Sequence, residues 1–331
     1  MQHRSLDRAL LEQLTRPEPR LPALEHWLID DVWTEHAFQS ASRSPKDYLI
    51  LGERSVAERE RMLSISAESI ASELAAEPPV TRSVDRFLQD NPSSAVVIFD
   101  GCSLREVPRL AELARSSSRQ IIEIGCGRAA VPSETDWFVS DRLGFGLPRI
   151  GPSQLTTRGE LKQRGIRFYY FKQAGEHHTV EKTDGSLILW TRFPDQRYTD
   201  STATDETLFE ALWDGLELAW KRTVGAVPAD KKVLVTSDHG YIFLGAGLGD
   251  PNLEGLDRPL SGKRFRCFEP DEALPDPEPG LWVHTERRLA VLSGRTHNRP
   301  QAPSASQSIY RHGGLSLMEM LTPWLVLAPV A

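Results

Sequence analysis

The spacing of apolar residues differs between two parts of this chain: it is helical up to about residue 90, and from residue 94 it is dominated by short apolar runs. Up to about residue 90, apolar positions recur at helical spacing, as in the stretch 55–77, and charged residues fill the positions between them. Pro78 and Pro79 end that stretch, because proline lacks an amide donor and disfavours helical geometry in the residue before it. Residues 1–90 are therefore predicted to be a mostly helical region that packs on the core or binds a partner.

From residue 94 the pattern changes to short apolar runs separated by segments with helical spacing. The runs read AVVIF, IIEIGCG, RFYYF, SLILWTRF and VLVT, and the clearest helical segment between them spans residues 208–223. Short runs rich in β-branched and aromatic residues are typical of buried strands, and their alternation with helices indicates parallel pairing. The pattern predicts an α/β fold with a mostly parallel sheet flanked by helices.

The alternation stops after residue 244 and returns near the end of the chain. Residues 245–311 are rich in Gly, Pro and charge, with LWVH and LAVLSG as predicted strands. Such a segment is long for a plain connector, so it is interpreted as a lid inserted over a site. The apolar stretch 318–330 then closes the fold. The predicted division is a helical region at 1–90 and one domain at 91–331, with the insertion at about 245–311.

Composition narrows the classes of protein to which this chain can belong. Its 331 residues, 40% apolar content and net charge of -7 fit a folded protein, and they provide no overall attraction for duplex nucleic acid. Three widely spaced cysteines are neither a disulfide framework nor a zinc ribbon, which predicts a cytoplasmic protein. The N-terminus lacks an apolar signal core, and no apolar run is long enough to span a membrane.

Candidate chemistry lies at the ends of the predicted strands. Asp238 and His239 follow VLVT, and Asp100 follows AVVIF. Open α/β sheets place their sites at the carboxyl ends of parallel strands, and zinc accepts both carboxylate and imidazole ligands. Taken singly, an Asp-Gly or Asp-His pair after a strand is more often an ordinary turn. If the two strands are neighbours, however, the two aspartates point into the same crevice.

Three further residues extend this set. Thr135 lies in VPSETDWF, where a hydroxyl either caps the following helix or sits at its N-terminus, where anions such as phosphate are favoured. A hydroxyl held by a divalent metal loses its proton more easily and can act as a nucleophile. Asp195 follows the strand SLILWTRF, and His312 lies in the loop YRHGG. A lone histidine in a loop is usually not a ligand, so the case for His312 as a metal ligand depends on the other residues of the set.

Together, IFDG, PSET, TSDHGY and RHGGLSLMEM occur in an order that resembles the PglZ domain of the alkaline phosphatase superfamily. The resemblance covers about residues 94–331 and implies one or two divalent metals, usually zinc, with manganese as an alternative. It implies that Thr135 is the nucleophile and that Asp100, Thr135, Asp238 and His239 hold one metal. Asp195 and His312 would hold the second.

The resemblance has one departure. Superfamily members usually carry the second site as Asp-x-x-x-His, but Thr199 stands where that histidine is expected after Asp195. The second metal would then be weaker, absent, or held by one of His177, His178 and His297.

The basic segment SGKRFRC supplies candidates for binding substrate. Lys263 and Arg264 would neutralise the charge of a substrate phosphate. The alternative is a solvated basic turn without a ligand.

The function that the resemblance implies is a metal-dependent phosphohydrolase, in particular a phosphodiesterase acting on nucleotides or short oligonucleotides through a phosphothreonine intermediate. PglZ-type proteins occur in bacterial phage-defence systems, so the alternative of another class is an inactive scaffold that binds partner proteins of such a system. A third alternative is a phosphomonoesterase, sulfatase or phosphomutase of the same superfamily.

Overall fold

A six-stranded sheet forms the centre of the computed structural model, which describes residues 20–62, 67–200, 207–244, 263–296 and 310–330, together with residues 248 and 260. The strand order is β2-β11-β5-β1-β4-β3. The strands are β1 (Ala95–Phe99), β2 (Ile121–Arg128), β3 (Ile166–Phe171), β4 (Ser186–Thr191), β5 (Val233–Thr236) and β11 (Leu321–Leu327). β5, β1, β4 and β3 pair in parallel, and β11 runs antiparallel to both of its neighbours. The predicted mostly parallel sheet is confirmed.

The central strands are almost entirely apolar because both faces of the sheet are covered. Every residue of β1, β4 and β5 is buried. Successive side chains of a strand point to opposite faces. Val97 and Leu189 belong to the apolar cluster on one face, whereas Ile98 and Trp190 belong to the cluster on the other. Burial on both faces explains why these strands read as unbroken apolar runs rather than alternating ones.

Helices cover the two faces unequally. One face packs against α1 (Leu21–Trp27), α3 (Pro45–Met62), α4 (Ala67–Ala75), α6 (Val107–Ser116) and α10 (Thr207–Arg222), with α2 (Glu35–Ser40) beside α3 and α6. The other face packs against α5 (Val84–Asp90), α7 (Thr135–Asp141) and α8 (Gly159–Gln163). In the part of the chain that the structure describes, no helix combines the length and apolar character needed to cross a membrane.

The N-terminal helices share a hydrophobic core with the sheet. Leu24, Trp33 and Tyr48 lie in the same buried cluster as Val97 and Phe209. Glu53 of α3 is fully buried and accepts hydrogen bonds from two arginines of the later domain. Residues 20–62 and 67–90 therefore pack as part of one structure with the sheet, and the helical character predicted for them is confirmed where it is described. The predicted helical positions before residue 20 lie outside the described residues.

The insertion contributes a small antiparallel sheet beside the main one. Its strands lie in the order β7 (Phe265–Cys267), β9 (Leu289–Leu292) and β8 (Leu281–His284). β8 matches the predicted strand LWVH, and β9 matches LAVL from the predicted LAVLSG. Arg287, in the turn between β8 and β9, donates to Asp141 at the end of α7 at 2.8 Å. The ring of Phe265 lies close to the Cα of Gly313. The inserted sheet thus touches both the helix that begins at Thr135 and the loop that carries His312.

The end of the chain supplies an interior strand. β6 (Ile242–Phe243) pairs antiparallel with β10 (Tyr310–Arg311). A short helix, α11 (Leu317–Met320), then leads into β11 between β2 and β5. Ser316 and Glu319 cap α11 reciprocally, because each side chain bonds the backbone amide at the other position. The stretch 318–330, which was predicted only to close the fold, thus provides β11, which lies between β2 and β5 and is antiparallel to both.

Candidate metal centre

The carboxyl edge of β1 and β5 brings together the first three predicted ligands. The strands are hydrogen-bonded neighbours, with Ile98 opposite Thr236. Asp100 and Asp238 each follow two residues later, so their side chains reach the same crevice beyond the edge of the sheet. Asp100, Asp238 and His239 each offer one donor atom, and those atoms lie within 4.8 Å of one another.

Backbone geometry at the two strand ends holds these side chains in place. Gly101 adopts φ +73°, a left-handed conformation that favours glycine, and its amide donates to Asp238 Oδ1 at 3.1 Å. At Gly240 a Cβ atom would lie 2.2 Å from the carbonyl oxygen of Met318, so only glycine allows this approach. Ser237 Oγ accepts from the amide of Cys102 at 2.9 Å, which ties the second turn to the first.

His239 is oriented so that one ring nitrogen faces the crevice. Its Nδ1 lies 2.9 Å from the carbonyl oxygen of Gly240, which makes Nδ1 the protonated nitrogen of the neutral ring. Nε2 then carries the lone pair, and it lies 3.6 Å from Asp100 Oδ1 and 3.7 Å from Asp238 Oδ2. A backbone acceptor that fixes the tautomer in this way is the usual arrangement of a metal-binding histidine.

Thr135 is the first residue of α7, and its hydroxyl enters the same crevice. Its Oγ1 lies 3.4 Å from Asp100 Oδ1 and 3.4 Å from His239 Nε2. Glu134 occupies the N-cap position, and its side chain makes no capping hydrogen bond. The alternative of a capping role for Thr135 is therefore not what the structure shows, because the hydroxyl faces the carboxylate and the imidazole.

A second group of donors lies beside the first and shares a residue with it. Asp195, His239 and His312 each offer a donor atom within 4.8 Å of the others. His312 Nε2 is 3.6 Å from Asp195 Oδ1, and the rings of His239 and His312 stack with centroids 4.2 Å apart. The backbone amide of Asp195 donates to the carbonyl oxygen of Asp100 at 2.9 Å, which places the start of α9 (Asp195–Asp200) next to β1.

Ser133 and Glu134, which were not predicted as site residues, hold His312 in its orientation. Its Nδ1 lies 3.2 Å from both the Ser133 carbonyl oxygen and Glu134 Oε1, so this nitrogen is directed away from Asp195. Ser133 Oγ accepts from the amide of Gly313 and donates to the carbonyl oxygen of Gly314. The only sequence signal was adjacency to Thr135, because the partner loop lies about 180 residues further along the chain.

Burial and crowding of charge set the electrostatics of the site. Burial raises the pKa of Asp100 well above its usual range, and the neighbouring Asp238 and Asp195 raise it further. Burial alone would lower the pKa of His312, but Glu134 and Asp195 raise it to about 10. The pKa of Glu134 is lowered because His312, His239 and Lys263 outweigh the effect of its burial.

The donor set suits a divalent cation. Asp238 is fully buried, and its Oδ2 accepts no hydrogen bond from the described residues. Two carboxylates that are buried side by side without compensating positive charge are unfavourable, and a bound cation removes that cost. Carboxylate oxygens, an imidazole nitrogen and a hydroxyl are ligands that zinc and manganese accept. Asp100, Asp238, His239 and Thr135 would hold the first metal, and Asp195 and His312 would contribute to the second.

The remaining sequence candidates lie in different surroundings. Lys263 is near enough to Glu134 to lower its pKa, so it stands beside the site. Arg264 is buried and donates to both oxygens of Glu319 at 2.6 and 2.9 Å, and to two backbone carbonyl oxygens. Its predicted contact with substrate phosphate has no geometric support, because these bonds commit the guanidinium to the fold.

Among the described residues, two of the histidines considered as replacement ligands, His177 and His178, do not join the site. His178 Nε2 lies 3.1 Å from Glu176 Oε1, and its ring packs edge-on against Phe171. Neither His177 nor His178 belongs to a cluster of metal-binding donors. His297 lies outside the described residues.

Comparisons with known proteins give likenesses of structure alone. No family model matches the chain, and no curated protein matches it. The phosphonoacetate hydrolase of Sinorhizobium meliloti 1021, in complex with phosphonoformate, is 12% identical with a TM-score of 0.42, covering 71% of this chain and 90% of that one. Murine ectonucleotide pyrophosphatase/phosphodiesterase 5 is 13% identical with a TM-score of 0.45, covering 72% and 88%. At such low values, the residue assignments rest on the geometry of this chain.

Proposed function

We propose that this chain is a metal-dependent phosphohydrolase of the alkaline phosphatase type with Thr135 as its nucleophile. The observation that carries the proposal is the position of Thr135 Oγ1, 3.4 Å from both Asp100 Oδ1 and His239 Nε2. A threonine whose role was to cap the helix or to fill space would not need three buried metal-binding donors around its hydroxyl. The surroundings of the hydroxyl therefore favour covalent catalysis at this residue.

The residues divide the reaction between them. A cation bound by Asp100, Asp238 and His239 would lower the pKa of the Thr135 hydroxyl and neutralise charge that develops on the phosphoryl oxygens. Thr135 Oγ1 loses its proton and forms a bond to phosphorus as the bond from phosphorus to the leaving oxygen breaks, and the leaving oxygen takes up a proton, which gives a threonine-bound phosphoryl group and a free alcohol. Water then attacks the phosphorus, the bond between phosphorus and Oγ1 breaks, and Thr135 regains the proton that water gives up as the phosphate monoester leaves.

The second donor group would support the same chemistry from the other side of the crevice. Paired cations stabilise both the attacking and the leaving oxygen in a phosphoryl displacement. His312 has its Nδ1 directed at Glu134 and the Ser133 carbonyl oxygen, which leaves Nε2 for the site. Because this group shares His239 with the first, we propose that its metal binds more weakly than the first one.

For the substrate we propose a phosphodiester, in particular a nucleotide or short oligonucleotide, with Lys263 beside its phosphate. The position of Lys263 near Glu134 supports a cation at that point of the rim. Phosphate monoesters, sulfate esters and phosphoryl transfer within a sugar would use the same residues. A panel of monoesters, diesters and sulfates separates these alternatives, and hydrolysis of monoesters alone would contradict the diester assignment.

A non-catalytic scaffold that binds partner proteins of a defence system is the second candidate. One observation favours it: Thr199 stands in place of the usual histidine, and the second donor group has to share His239. Metal content discriminates between the two candidates. A preparation that takes up no stoichiometric zinc or manganese and cleaves no phosphodiester would support the scaffold and contradict the hydrolase.

The nucleophile is tested directly by Thr135→Ala. With zinc or manganese, the wild type should hydrolyse a chromogenic phosphodiester, and the variant should lose the activity, by about 10³-fold or more, because no oxygen remains to attack. Thr135→Ser should retain part of it.

The matched control for this test is Ser140→Ala, on the same helix, where the hydroxyl donates to Asp141 and to the carbonyl oxygen of Trp137 rather than facing the metal-binding donors. It should leave the activity unchanged. Activity that survives in Thr135→Ala would contradict the mechanism.

A further inference from the structure

Strand alternation brings one arginine outside the predicted set to the face of the sheet that carries Thr135. Trp190 of β4 and Tyr170 of β3 stand opposite each other in the register, and both pack in the cluster beneath α7. The backbone of Arg192 continues the ladder, because its amide donates to the carbonyl oxygen of Phe171. Since side chains alternate between faces, Arg192 lies on the same face as Trp190, two residues closer to the carboxyl edge.

The packing of α7 places Arg192 at the level of Thr135. Phe138 of α7 packs edge-on against Trp190 with ring centroids 6.0 Å apart. Thr135 lies three residues before Phe138, about 4.5 Å along the helix axis, and Arg192 lies about 6.6 Å beyond Trp190 along the strand. Both steps lead toward the edge where Asp100 meets Thr135. Arg192 therefore flanks the crevice on the β4 side, across from the β5 side that carries Asp238.

The guanidinium of Arg192 and the hydroxyl of Tyr170, both on this side, make no hydrogen bond with the residues that the structure describes. The guanidinium of Arg192 has neither an ion pair nor a hydrogen bond, and the side chain is half-buried. The Tyr170 hydroxyl is likewise without a partner, on a side chain that is partly buried against the same cluster. Burial raises the pKa of Tyr170, Asp100 and Asp195 raise it further, and Arg192 lowers it, which places these groups within electrostatic reach of one another.

We propose that Arg192 and Tyr170 form a subsite that binds the phosphoryl oxygens of the substrate which the metals leave free. The inference rests on the proposed function and names two residues that the predicted site did not contain. A guanidinium donates two parallel hydrogen bonds to a phosphate, and a phenol donates one more. They stand on the β3–β4 side of the crevice, whereas Lys263 is within electrostatic reach of Glu134.

The chemistry of the crevice explains why a cation is needed there. Asp100, Asp195 and Asp238 lie close enough together for the last two to raise the pKa of Asp100, so a phosphate anion would be repelled wherever bound metal does not neutralise their charge. Arg192 makes no ion pair with a described carboxylate, so its positive charge can offset the negative charge of the phosphate on the side away from the metal ligands. Arginine suits this position better than lysine, because its planar fork matches two phosphate oxygens at once.

The test measures the binding of inorganic phosphate to the metal-loaded protein, by calorimetry, with metal content determined on the same samples. Arg192→Met should bind the same amount of metal as the wild type and should weaken phosphate binding by about 10- to 100-fold, the loss expected for a charge-assisted hydrogen-bonded pair. Arg192→Lys should show a smaller loss, and Tyr170→Phe a loss of about 3- to 10-fold. The matched control is Arg167→Met, on β3, whose guanidinium is exposed and paired with Glu181.

The outcomes separate the inference from the function on which it rests. A wild type that takes up no divalent metal would overturn the proposed function. A metal-loaded Arg192→Met protein that binds phosphate as tightly as the wild type would overturn the inference alone, as would an equal loss in Arg167→Met. Loss of metal in Arg192→Met would also overturn it, because the arginine would then support the metal site. If Arg192→Met does not fold, Arg192→Lys and Tyr170→Phe decide the question by the same measurement.

Discussion

Asp100 shows how burial prepares a single side chain for metal binding. Burial is the largest cause that raises the pKa of its carboxyl group, followed by the charges of Asp238 and Asp195, whereas His312 lowers it. The folded pKa therefore lies above the unfolded value of about 3.9. The folded chain binds more protons than the unfolded chain in the window between the two values. In the metal-free protein, the contribution of Asp100 to stability is accordingly lost as the pH rises through that window.

Metal uptake should release a proton from this site, because a carboxylate must be ionised to act as a ligand. Calorimetry of zinc binding at a series of pH values above the ordinary range of an aspartate, in two buffers with different ionisation enthalpies at each pH, should report proton release that continues to a higher pH in the wild type than in Asp100→Asn. Asp100→Asn should bind metal more weakly and release fewer protons. Equal proton release by the wild type and Asp100→Asn at every pH would contradict the raised pKa of Asp100.

At the scale of elements, α3 is tied to the rest of the fold by charges that are buried with it. Glu53 accepts from Arg105 Nε and Arg295 Nη2, both at 2.7 Å, and all three side chains are buried. Burial would lower the pKa of Arg105, but Glu53, Tyr241 and Glu106 raise it above its ordinary value. Arg105 also donates to the carbonyl oxygen of Tyr241, two residues after His239. The helix therefore supports the turn that presents the metal-binding pair.

Glu53→Gln should destabilise the protein by about 3–5 kcal/mol, because it removes the carboxylate charge that two buried arginines share, and among the described residues only Arg295 keeps a second ion pair, with Glu60 at 2.6 Å. The free energy of unfolding in urea measures this loss. Glu58→Gln is the matched control, since Glu58 lies exposed on the same helix and should change stability by no more than about 0.5 kcal/mol. Equal stability of the two variants would show that the buried network contributes nothing.

For the whole molecule, the apolar clusters matter more than the boundary drawn near residue 90. One cluster contains Trp33 and Leu74 from the N-terminal helices together with Val235 and Leu325 from the sheet. Removing the first 90 residues would expose that face of the sheet to water, and it would leave Arg105 and Arg295 without Glu53. We expect the two predicted parts to fold as one unit.

The fragment 91–331 should therefore fail to show a cooperative thermal transition, whereas the full chain should unfold in one. Near-ultraviolet circular dichroism and calorimetry measure this difference, and the fragment should expose apolar surface to a hydrophobic dye. A fragment that melts cooperatively and binds metal like the full chain would contradict the shared core. It would favour the predicted division into two domains.

Local order along the chain was enough to predict the sheet and to pick out six candidate residues, and the family resemblance then assigned their roles. Apolar runs that are buried on both faces leave a period that can be read without tertiary contacts, and β1, β4 and β5 lie where those runs indicated. Parallel strands end at a common edge, so Asp100, Asp195 and Asp238 had to approach one another once the strands became neighbours. Thr135, His239 and His312 joined them, and the catalytic roles of all six stay proposals.

Only the tertiary structure decided which polar groups are committed to the fold and which are open to a ligand. Arg264 looked available in a basic segment, but Glu319, 55 residues away, occupies its guanidinium in the interior. Arg192 gave no motif, yet the register of β3 and β4 places it on the face of the sheet that α7 covers, without a side-chain partner among the described residues. The physical reason is that a charge is satisfied by whatever lies near it in space. For these residues, that neighbour is far away along the chain.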